Sequence, residues 1–216
     1  MDLILFGMQG SGKGTQSKFI SKACNLAVFE TGAELRRLSK EDSDLGRKVK
    51  SIIEAGHLVS TEIVMEIIAN FIDTLPAGQA ALFDGIPRSI EQKENLDKLL
   101  EEKGRTFMGL DIRITEEEAL KRLTTRRICE GCKATYPAFY KEDACEDCGG
   151  SLITRRDDTP DAIRVRLDTF LEKTMPVIDG YNADGKMLVV NGEQAIEAVT
   201  EECMKALTPH FPECAA

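Results

Sequence analysis

The sequence predicts an α/β fold in which a five-stranded parallel sheet carries helices on both faces. Short apolar runs of strand length alternate with segments whose apolar residues recur at helical spacing, as in residues 63–72. This alternation is typical of parallel sheets that are covered on both sides. The five predicted strands are Leu3–Phe6, Ala27–Phe29, Ala80–Phe83, Met108–Ile114 and Met187–Val190.

Two segments interrupt this alternation. Residues 30–59 have the pattern of polar helix without a strand, and residues 126–158 have that of a loop rich in cysteine. We interpret both as insertions above the carboxyl edge of the sheet. A chain of 216 residues is long enough for one sizeable core together with these insertions.

The formal net charge of the chain is -9. This charge disfavours nonspecific binding to nucleic acid or to an anionic membrane, because both depend on a net basic surface. The sequence contains neither a transmembrane run nor a signal peptide, so we expect a cytoplasmic protein.

The first predicted strand leads into a glycine-rich segment with the spacing G-x-x-x-x-G-K, followed by the start of a helix. This context predicts a phosphate-binding loop, in which backbone N–H groups and the helix N-terminus surround an anion while Lys13 bridges phosphates. The predicted fold is therefore like that of the phosphate-loop NTPases. A simple connecting turn would not need glycine at 7, 10, 12 and 14 with a lysine in this order. The predicted phosphate-binding residues are Gly10, Ser11, Gly12, Lys13, Gly14 and Thr15.

The third apolar run ends in an acid, Asp84. In phosphate-loop folds an Asp at this place lies beside the loop and helps to hold Mg²⁺, often through water, although an Asp here also suits the capping of a turn. No Glu follows Asp84 to activate water, and the chain has no N-K-x-D motif for reading guanine. Phosphoryl transfer to a second substrate is therefore favoured over hydrolysis.

Six arginines fall near predicted strand ends, on the helices that leave them, or in the two insertions. Phosphoryl transfer spreads negative charge over oxygens, so a ring of guanidinium groups is a suitable catalytic apparatus. The six are Arg36, Arg88, Arg122, Arg126, Arg155 and Arg166. We expect the other arginines considered, Arg37, Arg47, Arg105 and Arg113, to be solvated surface residues.

Four of the seven cysteines form two C-x-x-C pairs, Cys129 with Cys132 and Cys145 with Cys148, separated by twelve residues. This spacing predicts a tetrahedral thiolate site for a structural Zn²⁺, with a small iron site or a redox pair as alternatives. Four thiolates leave zinc no open position, so the metal should fold the segment and perform no chemistry. Nothing in the sequence pairs Cys24, Cys203 and Cys214, which we expect to be packing or surface residues, and His57 and His210 are isolated.

Taken together, these motifs resemble those of the bacterial adenylate kinases that carry a long, metal-binding lid. The similarity runs from Met1 to about the end of the last helix. The segments that carry it are Gly7–Thr15, Thr31-Gly32, Leu35-Arg36, Asp84–Arg88, Gln92, Arg122, Arg126-Arg127, the two cysteine pairs, Thr154–Asp158 and Arg164–Arg166.

The resemblance implies reversible phosphoryl transfer from Mg·ATP to AMP, giving two ADP. It implies a core of residues 1–29, 60–125 and 159–216, an AMP-binding insertion of 30–59 and a lid of 126–158. It also implies a monomeric chain without nucleic-acid or membrane partners. The transferring group would be surrounded by Lys13, Arg88, Arg122, Arg126, Arg155 and Arg166, with Arg122 and Arg126 also on the ATP side. The AMP side would comprise Thr31, Arg36, Gly85, Arg88, Gln92, Arg155 and Arg166, with Arg36 and Arg88 on the phosphate and Gln92 on the adenine. The lid would hold Zn²⁺, with iron or cobalt as alternatives.

The sequence departs from the family pattern at a few positions. Gln9 replaces a common Pro, Ile86 replaces a common aromatic residue, and Pro137 stands where His is usual. Glu30 and Ala33 stand where Ser or Thr and Asp are frequent. A kinase for CMP, UMP or GMP, or one using GTP as donor, is the alternative within the class. A zinc-ribbon module for nucleic acid is disfavoured, because residues 127–158 contain five Lys or Arg against seven Asp or Glu.

Overall fold

The computed structural model describes residues 1–54, 58–155 and 158–215. His57, Arg156 and Asp157 fall outside these ranges. The described core is a parallel sheet of five strands, in the order β2-β3-β1-β4-β8. Those strands are β1 Asp2–Phe6, β2 Ala27–Glu30, β3 Ala81–Asp84, β4 Phe107–Arg113 and β8 Met187–Asn191, each within one residue of its predicted bounds.

Helices cover both faces of this sheet. Their bounds are α1 Lys13–Ala23, α2 Thr31–Leu38, α3 Asp44–Glu54, α4 Thr61–Thr74, α5 Ile90–Glu102, α6 Glu116–Thr125, α7 Pro160–Thr169, α8 Met175–Ala183 and α9 Ile196–Leu207. A π-helical turn, Phe170–Thr174, joins α7 to α8, and a 3₁₀ turn, Pro212–Ala215, follows α9. The α/β fold predicted from the alternating pattern is confirmed.

Alternation along β1 shows why two faces are filled. Ile4 and Phe6 point into one apolar cluster, while Leu3 and Leu5 point into the other, on the opposite side of the sheet. Successive side chains of a strand face opposite ways, so a strand that is apolar at every position must be buried on both sides. The helical spacing in residues 63–72 has the corresponding result, because Val64, Ile68 and Ile72 form the buried side of α4.

The predicted insertion of residues 30–59 contains α2 and α3 and no strand after Glu30, as far as the structure describes it. The expectation of a loop for residues 126–158 is wrong. This segment forms a small antiparallel sheet of β5 Arg127–Cys129, β6 Thr135–Tyr136 and β7 Leu152–Ile153, in the order β6-β5-β7. Strands of two or three residues are too short to show an alternating pattern, so no periodicity predicts them.

The expectation for Cys24 and Cys214 is also wrong, because these residues form a disulfide across 190 positions of the sequence. Cys24 is the residue at which α1 ends, and Cys214 lies in the 3₁₀ turn that follows α9. Both are buried in the apolar cluster that also contains the free thiol of Cys203. The two cysteines meet only because α9 packs beside α1, a contact that no local pattern reveals.

Arg105 is a further correction, since it is not a solvated surface residue. Its Nε and Nη2 each donate to a different carboxylate oxygen of Asp2 at 2.6 Å, and its side chain is only 18% exposed. Asp2 is buried at the start of β1 and also accepts the backbone N–H of Ala81. A buried carboxylate must be paired, and this requirement draws Arg105 inward. Arg37, Arg47 and Arg113 are exposed by half or more, as expected.

Candidate active site

The glycine-rich loop lies at the carboxyl edge of the sheet, between the end of β1 and the start of α1. Gly7, Gly10 and Gly12 have positive φ angles of 145°, 88° and 94°. A Cβ on Gly7 would lie 2.6 Å from the carbonyl oxygen of Ile112, so the close approach of β4 also requires glycine there. Gly14 differs from our expectation, because it is an exposed residue of α1 without a positive φ.

Lys13, the first residue of α1, bends back over the loop that precedes it. Its Nζ donates to the carbonyl oxygens of Gly7 at 2.5 Å and Met8 at 3.3 Å. Desolvation of the ammonium group lowers the pKa of Lys13, while Asp84 and Asp111 oppose that shift. The lysine is therefore held at the mouth of the loop, with its positive charge available to an anion.

Two buried carboxylates flank the end of β1. Asp84 ends β3 and lies opposite Leu5, while Asp111 on β4 lies opposite Phe6. Burial raises the pKa of both carboxyl groups; Lys13 is the main opposing charge at Asp84, and Arg113 opposes the shift at Asp111. Sequence reasoning missed Asp111, although an acid inside the apolar run Met108–Ile114 was an available signal.

Arg88 is fixed in the loop that follows β3. Its Nε donates to the carbonyl oxygen of Gly85 at 2.7 Å, and its backbone N–H donates to Oε1 of Gln92 at 2.8 Å. Gly85 has a φ of 84°, and a Cβ there would lie 2.8 Å from Nη2 of Arg88, so glycine makes room for the guanidinium. Desolvation lowers the pKa of Arg88, opposed by the charge of Asp84. Because Oε1 of Gln92 accepts this backbone N–H, Nε2 is the atom of the amide that can donate a hydrogen bond to a nucleobase.

A single buried carboxylate, Asp158, joins two of the predicted arginines. It accepts hydrogen bonds from Nε and Nη2 of Arg126 at 2.5 and 2.8 Å, and from Nη2 of Arg166 at 2.7 Å. Arg126 follows the last residue of α6 and begins the cysteine-rich segment, and Arg166 lies on α7 after that segment. Asp158 therefore ties together the two ends of that segment. Asp158 belongs to the motif Thr154–Asp158, but the sequence alone predicts no role for it.

The remaining predicted arginines lie around the same loop. Arg122 on α6 contacts the carbonyl oxygen of Gly10 at 3.4 Å and pairs with Glu118 at 2.8 Å. Arg36 and Arg155 lie close enough to Arg88 to lower its pKa, as does Arg166. The structure thus brings all six arginines predicted from scattered positions to one edge of the sheet, together with Lys13 and Asp84.

Unpaired polar atoms mark the same region. Among the described residues, the buried side-chain oxygens without a hydrogen-bond partner are Oε1 of Gln9, Oγ of Ser11 and Oγ1 of Thr31. A buried polar group without a partner costs about 1–3 kcal/mol, so such groups are normally satisfied. All three lie in the glycine-rich loop or at the start of α2, which is where a polar ligand would supply the missing partners.

The four cysteines of the two C-x-x-C motifs come together beside the small antiparallel sheet, where Cys129 ends β5. Their sulfur atoms all lie within 4.8 Å of one another, and both the Cys129–Cys148 and Cys132–Cys145 separations are 3.4 Å. A tetrahedron of thiolates with metal–sulfur bonds of about 2.3 Å has edges of about 3.8 Å, so this cluster fits one ion. A Cβ on Gly150 would lie 3.0 Å from the sulfur of Cys129, which explains glycine beside the cluster.

A family model described as adenylate kinase matches residues 5–186. The chain belongs to the adenylate kinase family. A protein of Caldicellulosiruptor bescii named adenylate kinase is 40% identical over 212 residues, which cover 96% of this chain and 99% of that protein. Proteins with the same name from Acetivibrio thermocellus and Staphylococcus aureus strain Mu50 are 36% and 35% identical, again over 96% of this chain and 98% and 99% of their own lengths. The family resemblance seen in the motifs is confirmed.

An ion pair in this member of the adenylate kinase family joins Glu30 to Arg36, one of the six predicted arginines. Nη2 of Arg36 donates to Oε1 of Glu30 at 2.9 Å, at the junction of β2 and α2.

No helix in the part of the chain that the structure describes is both long and apolar enough to cross a bilayer.

Proposed function

We propose that the protein catalyses reversible phosphoryl transfer from Mg·ATP to AMP, giving two ADP. The observation that carries this proposal is the gathering of Lys13 and six arginines around one glycine-rich loop. Phosphoryl transfer asks the protein to position two nucleotides and to stabilise spreading negative charge, and these cations supply both. Membership of the adenylate kinase family supports the same reaction.

We assign the ATP phosphates to the backbone N–H groups of residues 10–15 and to Lys13. The amide groups at the start of α1 point toward the loop, and the helix dipole adds positive potential there. Arg122 and Arg126 approach from α6, on the side of the loop facing the cysteine-rich segment. Asp84 would bind the Mg²⁺ that accompanies ATP through water, because it is an acid at the adjoining strand end.

We assign AMP to the side of the loop that faces β2 and β3. Arg36 and Arg88 would hold its phosphate, and Gln92 and Thr31 would contact the adenine side, with Gly85 giving Arg88 its room. Arg155 and Arg166 would lie between the nucleotides. Residues 30–59 then form the AMP-binding insertion, residues 126–158 the lid, and the rest of the chain a core that need not form oligomers to complete the site.

We further propose that the four cysteines hold a structural Zn²⁺. The lid is a short sheet, and among its described residues the apolar cluster contains only a few that are buried. A segment of this size normally needs a bound metal ion or disulfides to be stable. Closure of the lid would carry Arg126 and Arg155 toward ATP and exclude water.

A nucleotide panel tests the reaction. Donors ATP and GTP are crossed with AMP, CMP, UMP and GMP, and nucleoside diphosphates are measured. We expect turnover only with ATP and AMP; a preference for another acceptor or for GTP would refute the assignment. Lys13→Met should lose at least 99% of turnover, because the loss of one such cation costs several kcal/mol of transition-state stabilisation. Lys18→Met is the matched control, since Lys18 is an exposed residue of the same helix.

A further inference from the structure

The arginine assigned to the AMP phosphate already has an anionic partner within the chain. Nη2 of Arg36 lies 2.9 Å from Oε1 of Glu30, and both side chains are about half exposed, at 48% and 49%. Glu30 is the last residue of β2, where it lies opposite Asp84 of β3, and Arg36 lies six residues further along on α2. The ion pair therefore stands at the opening of the proposed acceptor site.

Helix capping does not explain the Glu30 carboxylate. Glu30 occupies the N-cap position of α2, but its side chain makes no capping hydrogen bond. Ser, Thr, Asp and Asn are the residues that fill this position well, because their short side chains reach the free N–H groups of the first turn. In the part of the chain that the structure describes, Arg36 is the hydrogen-bond partner of this side chain.

The backbone keeps the carboxylate near the site when Arg36 moves. Glu30 is held by the parallel pairing of β2 with β3, so its Cα cannot leave the strand end. The charge of Glu30 also acts on the neighbouring acid, Asp84. Desolvation is the main cause of the raised pKa of Asp84, Lys13 opposes this shift, and Glu30 adds to it. An anion bound between Arg36 and Arg88 would therefore lie close to two carboxylates as well as to two guanidinium groups.

We propose that Glu30 competes with the phosphate of the acceptor nucleotide for Arg36 and thereby weakens AMP binding. The inference rests on the proposed function, which assigns Arg36 to that phosphate. A phosphate dianion carries more charge than a carboxylate and accepts two parallel hydrogen bonds from a guanidinium, so it displaces Glu30. The displaced carboxylate remains nearby and repels the dianion. Glu30 is thus a positioning residue that sets the affinity of the acceptor site.

The donor site should not respond to Glu30. The phosphate loop follows β1, and β3 lies between β1 and β2 in the sheet. Competition at Arg36 should therefore change the KM for AMP and leave the KM for ATP unchanged.

Glu30→Gln removes the charge and keeps the size of the side chain. We expect the KM for AMP, and the Kd for AMP measured by calorimetry, to fall about three- to fivefold, because a half-exposed charge pair contributes at most about a fivefold change in affinity. The KM for ATP should stay within twofold. The difference between variant and parent should shrink in 0.5 M KCl, since screening weakens repulsion between exposed charges.

Glu34→Gln is the matched control. Glu34 lies on α2 and pairs with Arg37 at 3.0 Å, so this change removes the same charge from the same segment without touching Arg36. Its KM for AMP should equal that of the parent. An unchanged or raised KM for AMP in Glu30→Gln, in a protein with the parent's thermal midpoint, would overturn the inference.

Arg36→Ala separates failure of the inference from failure of the proposed function. We expect it to raise the KM for AMP at least tenfold. If it does and Glu30→Gln has no effect, the acceptor site is correct and the competition is wrong. If Arg36→Ala leaves the KM for AMP unchanged, the assignment of the AMP phosphate is itself wrong, and the inference is overturned with it.

Discussion

Removing the disulfide between Cys24 and Cys214 should lower the stability of the protein without lowering its activity. The perturbation is Cys214→Ser, which leaves Cys24 as a free thiol. Cys24 lies where α1 ends, and the phosphate loop lies where α1 begins. A helix of 11 residues is about 16 Å long, so the change is remote from the phosphates. We therefore expect kcat and both KM values at 20 °C to stay within twofold of the parent.

The size of the stability loss follows from the loop that the disulfide closes. The two cysteines are 190 residues apart. On the chain-entropy model, closing a loop of that length in the unfolded state stabilises the folded protein by about 5 kcal/mol. In a chain of about 200 residues each kcal/mol shifts the thermal midpoint by about 2–4 °C, so the loss should be about 10–20 °C.

Thermal melts with and without tris(2-carboxyethyl)phosphine measure this effect. The reductant should lower the midpoint of the parent to that of Cys214→Ser and leave the variant unchanged. Cys203→Ser is the control, because Cys203 is a buried free thiol in the same cluster and its loss should preserve the response to reductant. Alkylation of the unfolded, metal-free protein should find five free thiols before reduction and seven after it.

Two results would refute this reasoning. Seven free thiols in protein purified without reductant would show that the bond does not form. A midpoint for Cys214→Ser equal to that of the disulfide-containing parent would show that the bond forms but that restricting the unfolded chain contributes nothing to stability.

Three further changes test the site. Gln92→Ala should raise the KM for AMP at least tenfold and the KM for ATP less than twofold, since we assign its amide to the adenine of AMP; equal effects on both KM values would place Gln92 elsewhere. Cys129→Ser should lose metal and melt lower yet keep activity at low temperature, as metal analysis and melting curves would show; an unchanged midpoint without metal would contradict a structural ion. Asp158→Ala should lower kcat at least tenfold by freeing Arg126 and Arg166, and unchanged kinetics would deny Asp158 a role in placing them.

Local patterns in the sequence were enough to predict the core of the fold. Apolar runs such as Leu3–Phe6 are buried on both sides of a parallel sheet, and that burial requires the uninterrupted apolar pattern that the sequence displays. The glycines of the phosphate loop could be recognised because positive φ angles and close backbone contacts restrict those positions to one residue type. The cysteine pairs could be recognised because a metal fixes their spacing.

Contacts between distant segments were decided only by the tertiary structure. Arg105 looks like any surface arginine until β1 brings the buried carboxylate of Asp2 beside it. Asp158 is one acid among several until it lies between Arg126 and Arg166. Cys24 and Cys214 have no common motif, and they meet because α9 and the turn after it pack against α1. Charged residues and cysteines follow no periodic pattern along the chain. Their partners therefore depend on which segments the packed core brings together, and that arrangement is known only once the whole chain has folded.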